Sequence, residues 1–325
     1  TQADADGQEL RLVYARFLVD AKRYEQARTE FEWLTIAAPE RADVRYALGL
    51  LLLQTNHHEE AREHFTKLVS LRERLLEANF YLGQIAEAQD DDEVAIRHYR
   101  RVDRAEQYID AQVRVAAIYA KTDRMDRARQ HLGAVRRGSE RDDIRLYRAE
   151  AELLARHERF DDAITVYDGA LLSHPQNTDL LYSRAMMASR VDKFDILERD
   201  LRAILSREPN NADALNALGY TLADRDLRLE EAHDLIRRAL VLKPKDHYII
   251  DSLGWVLYRM GRLEEAVQQL RKAMELRPDA EVAAHLGEVL WVSGRQAEAR
   301  QIWDTALETT PEDKRLLETI DRLSK

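Results

Sequence analysis

Six prolines are the whole proline content of this 325-residue chain, and all six fall in one phase of a period of about 34 residues. They are Pro39, Pro175, Pro209, Pro244, Pro278 and Pro311, with steps of 34, 35, 34 and 33 between the last five. Pro39 lies 136 residues before Pro175, four periods of 34, so three further repeats that carry no closing proline are expected between them. A period of this length suits a pair of helices that cannot bury its apolar face alone and must stack on its neighbours.

Small residues test that reading without using proline. Gly49, Gly83, Ala117, Ala151, Ala185, Gly219 and Gly254 recur at one phase, with Gly287 one residue early; Ala27, Ala61, Ala95, Ala163, Ala266 and Ala299 recur at a second, with Ala232 displaced by one insertion. Ala170, Ala239, Ala273 and Ala306 form a third set. A small residue at a helix crossing lets two backbones approach, and Phe31, Phe65, Tyr99 and Tyr167 are placed to fill the groove beside it. Proline ends each pair, because it lacks an amide donor and drives its predecessor out of the helical region. Gly261 and Gly294 stand where the chain must reverse between helices, a place for left-handed backbone.

The period, the three small-residue phases and the closing proline together resemble the tetratricopeptide repeat (TPR). In "DHYIIDSLGWVLYRMGRLEEAVQQLRKAMELRP" the family pattern falls on Leu253, Gly254, Ala266, Leu270, Ala273 and Pro278. The match weakens in the middle, where repeat 110–143 has Gly138 and Ser139 near its turn and repeat 178–211 has Leu197 in place of alanine. The fold expected is all-α: one TPR superhelical solenoid over 1–325, nine repeats starting near 8, 42, 76, 110, 144, 178, 212, 247 and 280, and a capping helix over 314–325. Leu316, Leu317, Ile320 and Leu323 give that last helix one apolar face.

Composition excludes several functions. No apolar run is long enough to cross a bilayer, and no charged start with an apolar core marks a signal peptide. Residue 1 is Thr, which suggests a processed or trimmed piece. The absence of cysteine removes disulfides, thiolate metal sites and cysteine nucleophiles. A net charge of −10 with both signs interspersed argues against a nucleic-acid surface. The stretch "HHEEAREH", with His57, His58 and His64, lacks the HExxH order of a zinc site, and the opening "DADADG" offers Val13 where a calcium loop needs Glu. No phosphate loop, serine elbow or dinucleotide turn is present. The expectation is therefore a chain with no metal, no cofactor and no catalysis, a monomer by default.

What remains is surface. The geometry implied by the TPR resemblance turns positions 2, 5, 9 and 12 of each repeat toward a groove, which selects Tyr182, Met186, Asn216, Tyr220, Tyr248, Asp251, Trp255, Tyr258 and Trp291 as a partner-binding wall. Aromatic and methionine side chains provide large contact area at small entropy cost. In the middle repeats the groove positions turn basic, with Arg114, Lys121, Arg145 and Arg148; this patch either attracts an acidic segment or is neutralised by neighbouring carboxylates. At the N-terminal end Leu10, Val13, Phe17 and Leu18 read as an uncovered docking helix.

The C-terminal run from "LNALGYTLADRDLRLEEAHDLIRRALVLKPKDHYIIDSLGWVLYRMGRLEEA" through "EVAAHLGEVLWVSGRQAEARQIWDTAL" resembles a group of proteobacterial TPR lipoproteins of the outer membrane. That resemblance implies an adaptor in the periplasm, lipid-anchored through an upstream cysteine, that binds a carboxy-terminal processing protease and promotes degradation of its peptidoglycan hydrolase substrates. A generic adaptor for envelope assembly or secretion, and the repeat region of a larger enzyme, are the alternatives.

Overall fold

The computed structural model describes residues 2–103, 106–136 and 139–324, with side chains from residue 6 onward. Gly138, expected near a turn, lies outside the described residues. The described residues form nineteen α-helices and no strand, in two compact units, Thr1–Glu158 and Arg159–Lys325.

The first unit contains α1 (Gln2–Asp20), α2 (Tyr24–Ala37), α3 (Ala42–Gln54), α4 (His58–Leu71), α5 (Leu75–Ala88), α6 (Asp92–Tyr99), α7 (Tyr108–Lys121), α8 (Met125–Val135) and α9 (Glu140–Arg156). The second contains α10 (Phe160–Ser173), α11 (Thr178–Arg190), α12 (Phe194–Arg207), α13 (Ala212–Asp224), α14 (Leu229–Leu242), α15 (His247–Arg259), α16 (Leu263–Leu276), α17 (Ala280–Val292), α18 (Gln296–Thr309) and α19 (Lys314–Ser324). In the first unit α1 packs on α2, α3 on α4, α5 on α6 and α7 on α8; in the second α11 packs on α12, α13 on α14, α15 on α16 and α17 on α18, and α13 also packs on α15, α15 on α17 and α17 on α19.

Every proline is the second residue past a helix end, following α2, α10, α12, α14, α16 and α18. The residue before each one has left the helical region, with φ between −122° and −157°, yet its amide still reaches back to a helical carbonyl. Where proline is missing the second helices end differently: α4 stops on left-handed Arg72, while α6 is only eight residues long and α8 eleven.

The reversal inside each pair is one conformation repeated nine times. Lys22, Asn56, Asp90, Asp123, Glu158, Asp192 and Asp226 hold φ between 55° and 61°, and Gly261 and Gly294 hold 79° and 85°. Only two of these nine left-handed positions use the residue that adopts them without steric cost.

The crossing inside each pair follows the small-residue phase. A Cβ on Gly49 would stand 2.8 Å from the Phe65 ring, one on Gly83 2.6 Å from the Tyr99 ring, one on Gly219 2.7 Å from Ile236 and one on Gly254 2.5 Å from Leu270. The fillers Phe31, Phe65, Tyr99 and Tyr167 are all buried. At Gly133, which stands in the filler phase of the fourth pair, a Cβ would touch nothing.

Helix α1 corrects two expectations. The first repeat, expected to start near 8, opens as helix from Gln2. Leu18 is fully buried with Leu12 and Ala15, because it lies on a different face of α1 from Leu10, Val13 and Phe17, which are 72%, 63% and 61% exposed.

Candidate functional site

Within the second unit, α11, α13, α15 and α17 present their groove positions to one pocket of about 310 Å³. Tyr182 and Met186 enter from α11, Asn216 and Tyr220 from α13, Tyr248 and Asp251 from α15. These six expected groove residues come together, and Asp213, Asp246 and Glu281 join them.

The remaining three stand elsewhere. Trp255 is buried behind the pocket, its ring stacked on His285 at 4.2 Å and its indole N–H donating to Asp224 Oδ1 at 3.2 Å. Tyr258 stacks obliquely on Trp255 and donates to Glu288 Oε1 at 3.2 Å. Trp291 leaves the groove and stacks on Trp303 at 5.5 Å. Indoles this large gain more from burial against a neighbouring ring than from facing solvent.

The groove also holds a polar lock that the aromatic reading missed. His285 on α17 meets both oxygens of Asp251 through Nδ1, at 3.0 and 2.9 Å, and its Nε2 lies 3.0 Å from Arg315 Nη2 on α19. Arginine only donates, so Nε2 accepts and His285 is the neutral tautomer with its proton on Nδ1, given to Asp251. The same guanidinium donates to Glu281 and to the hydroxyl of Tyr220, 95 residues earlier in the chain. Burial pushes the Tyr220 hydroxyl well above its ordinary pKa, with Arg315 pulling weakly the other way. Glu281, Arg315 and Asp213 occupy position 2 of their repeats, so the same phase rule finds them once charged residues are counted beside aromatic ones.

Asp251, Ser252 and His285 invite comparison with a hydrolase triad, but the geometry is wrong. Ser252 donates to the Tyr248 carbonyl at 2.9 Å, and the distal nitrogen of His285 faces a guanidinium rather than a hydroxyl. Among the described residues no group of three His, Cys, Asp or Glu is arranged to hold a metal, and no helix is long and apolar enough to cross a membrane.

A second lock lies in the same unit. Arg184 on α11 grips Asp200 on α12 with two bonds of 2.7 Å and reaches Asp168 at 2.6 Å. Asp200 stands on the apolar stripe of α12 beside Leu197, Leu201 and Ile204, and an acid in that stripe is the sequence signal for a buried partner.

In the first unit the basic patch is largely neutralised. Arg114 pairs with Glu87 at 2.9 Å, Lys121 with Asp90 at 2.8 Å and Arg145 with Asp110 at 2.5 Å, each partner coming from the preceding repeat; Arg148 is exposed. The bonds of Arg114 and Tyr99 to the same Glu87 carboxylate make this a stitch between repeats.

Comparison with known proteins decides the family. The tetratricopeptide repeat model matches residues 15–74, 148–190, 192–247 and 252–314, more than half of the chain. The chain belongs to the tetratricopeptide-repeat family. It is similar to the TPR repeat-containing protein PA4667 of Pseudomonas aeruginosa, 44% identical over 213 residues, which cover 65% of this chain and 36% of that protein. It is also similar to the human Protein O-mannosyl-transferase TMTC1, 26% identical over 172 residues, 51% of this chain and 19% of that one. The chain thus spans well under two thirds of the length of either relative. Among solved structures, a tetratricopeptide repeat protein from Parabacteroides merdae aligns with a TM-score of 0.59 at 14% identity, covering 78% of this chain and all of that one, a likeness of fold alone. As a TPR solenoid the chain is a protein-interaction scaffold.

Proposed function

We propose that this chain is a non-catalytic adaptor, a periplasmic lipoprotein scaffold that binds a carboxy-terminal processing protease and promotes degradation of its peptidoglycan hydrolase substrates. The observation that carries the scaffold reading is the groove pocket, where tyrosines from three successive first helices and Met186 face an opening in which no catalytic relay is assembled. The resemblance of the C-terminal repeats to the outer-membrane lipoprotein LbcA, adaptor of the protease CtpA, supports the finer role; the Pseudomonas relative at 44% identity supports the repeat scaffold alone. Anchoring at the outer membrane through an upstream lipid rests on the same resemblance.

The mechanism is positional. Holding protease and substrate on one scaffold turns their encounter into an intramolecular event and raises effective concentration without chemistry by the adaptor. Two faces are available for the two partners: the pocket of the second unit, and the apolar stripe of Leu10, Val13 and Phe17 on α1.

Co-purification of the protease on the immobilised chain tests this. Capture is expected, with loss on Leu10→Asp plus Phe17→Asp, while Tyr248→Ala plus Met186→Ala reads whether the pocket holds substrate or protease. A chain that captures no protease overturns the adaptor role. A second reading, the repeat region of a larger enzyme, is favoured by one observation: the human relative carries a transferase name and is matched over only 19% of its length.

A further inference from the structure

The pocket between α11, α13 and α15 has a charge balance that a purely aromatic groove would not need. Four carboxylates line it, Asp213, Asp246, Asp251 and Glu281. Two cations answer them: Lys243 holds Asp213 at 2.7 Å and Arg315 holds Glu281. Asp251 is met by the neutral His285, and Asp246 spends Oδ1 capping α15 through the Tyr248 and Ile249 amides. Neither of these last two carboxylates has a lysine or arginine partner of its own, which leaves the site about two negative charges in excess.

The lining points the same way. The walls are tyrosine rings, whose faces attract cations, and the volume of about 310 Å³ sits at the small end of ligand pockets, enough for a long side chain rather than a helix.

We infer that this pocket receives a lysine or arginine side chain from an extended segment of a protein partner. The inference rests on the protein-binding reading of the groove and names the chemistry that the groove selects. The cationic head donates to the free oxygen of Asp246, while its aliphatic stem lies against the tyrosines and Met186. Arg315, which contacts two of the lining residues, is already spent on Glu281 and Tyr220.

Fluorescence anisotropy on the intact chain tests this with three labelled peptides, identical alanine–serine segments whose central residue is lysine, norleucine or glutamate. The lysine peptide is expected to bind about tenfold more tightly than the norleucine peptide, the glutamate peptide more weakly still, and added salt to weaken only the lysine peptide. Asp246→Asn keeps the helix cap and removes the charge, so it should weaken the lysine peptide about fivefold and leave the norleucine peptide unchanged. Equal binding of lysine and norleucine peptides, or indifference to Asp246→Asn, overturns the inference and leaves the groove reading standing. Failure of all three to bind overturns both.

Discussion

Gly287 lies directly beneath the indole of Trp303, sixteen residues on, so that the ring occupies the space where any side chain at 287 would begin. This is the tightest of the five glycine crossings, and Trp303 is itself fully buried and stacked on Trp291.

Gly287→Ala should therefore destabilise the second unit by about 2 kcal/mol, because overpacking a rigid aromatic outweighs the gain in helix propensity. Urea denaturation followed by tryptophan fluorescence reads the change. In a Trp303→Ala background the same substitution should cost nothing, since the ring it strikes is gone.

Gly133→Ala should move stability in the opposite direction. This glycine sits in the last turn of α8 with open space around the position of a Cβ. Alanine there should add about 0.5–1 kcal/mol through helix propensity alone, seen as a higher thermal midpoint of the first unit. A lower midpoint would show that the fourth crossing is tighter than its geometry.

The Arg184–Asp200 lock gives a third expectation. Asp200 is 1% exposed, and Arg184→Met leaves its buried carboxylate with only the exposed Arg199, 3.1 Å away. The loss should be about 3 kcal/mol, and Arg184→Met with Asp200→Leu should recover most of it, because removing both charges removes the desolvation penalty. If the single variant unfolds at the wild-type urea midpoint, the pair contributes no stability.

His131 supplies a pH dependence. Burial, with the positive charge of Arg100 second, lowers its pKa from the usual 6.5 to about 4, and its Nε2 is buried without a hydrogen bond beside the Tyr119 ring. As pH falls through 6.5 the unfolded chain takes up a proton that the folded chain refuses until about pH 4. Stability present above pH 6.5 is thus lost progressively between those values and no further below them. Discounted for partial exposure of the ring, the loss is of order 1–2 kcal/mol. Denaturation at pH 7 and pH 4.5 should show that His131→Gln removes this part of the slope, while His64, His98 and His233, also held low mainly by burial, contribute equally to both proteins.

The phase of the prolines located helix starts at 42, 178, 212, 247, 280 and 314, where α3, α11, α13, α15, α17 and α19 begin. It drifted where no proline corrects it: α7 begins at Tyr108 rather than 110, and α9 at Glu140 rather than 144. Ser139 starts α9 early by accepting from the Asp142 amide. The groove rule chose a phase, and a phase fixes where a Cα stands, not where a long side chain turns. Hence Tyr182 and Tyr220 line the pocket while Trp291 folds back onto Trp303. The polar lock was hidden for a different reason. Arg315 belongs to the terminal helix, read as a cap with one apolar face, and its contact with Tyr220 joins residues whose spacing exceeds two repeats.

The turn between α13 and α14 carries one residue more than its counterpart between α11 and α12, four against three. Yet Pro244 again falls two residues past a helix end, and α15 begins on schedule at His247. The extra residue lengthens this pair to 35 residues, as the Pro209–Pro244 step records, and only shifts the start of the next. Insertions and deletions in these turns are local edits, so turn length can vary from one pair to the next without rewriting the pairs that follow.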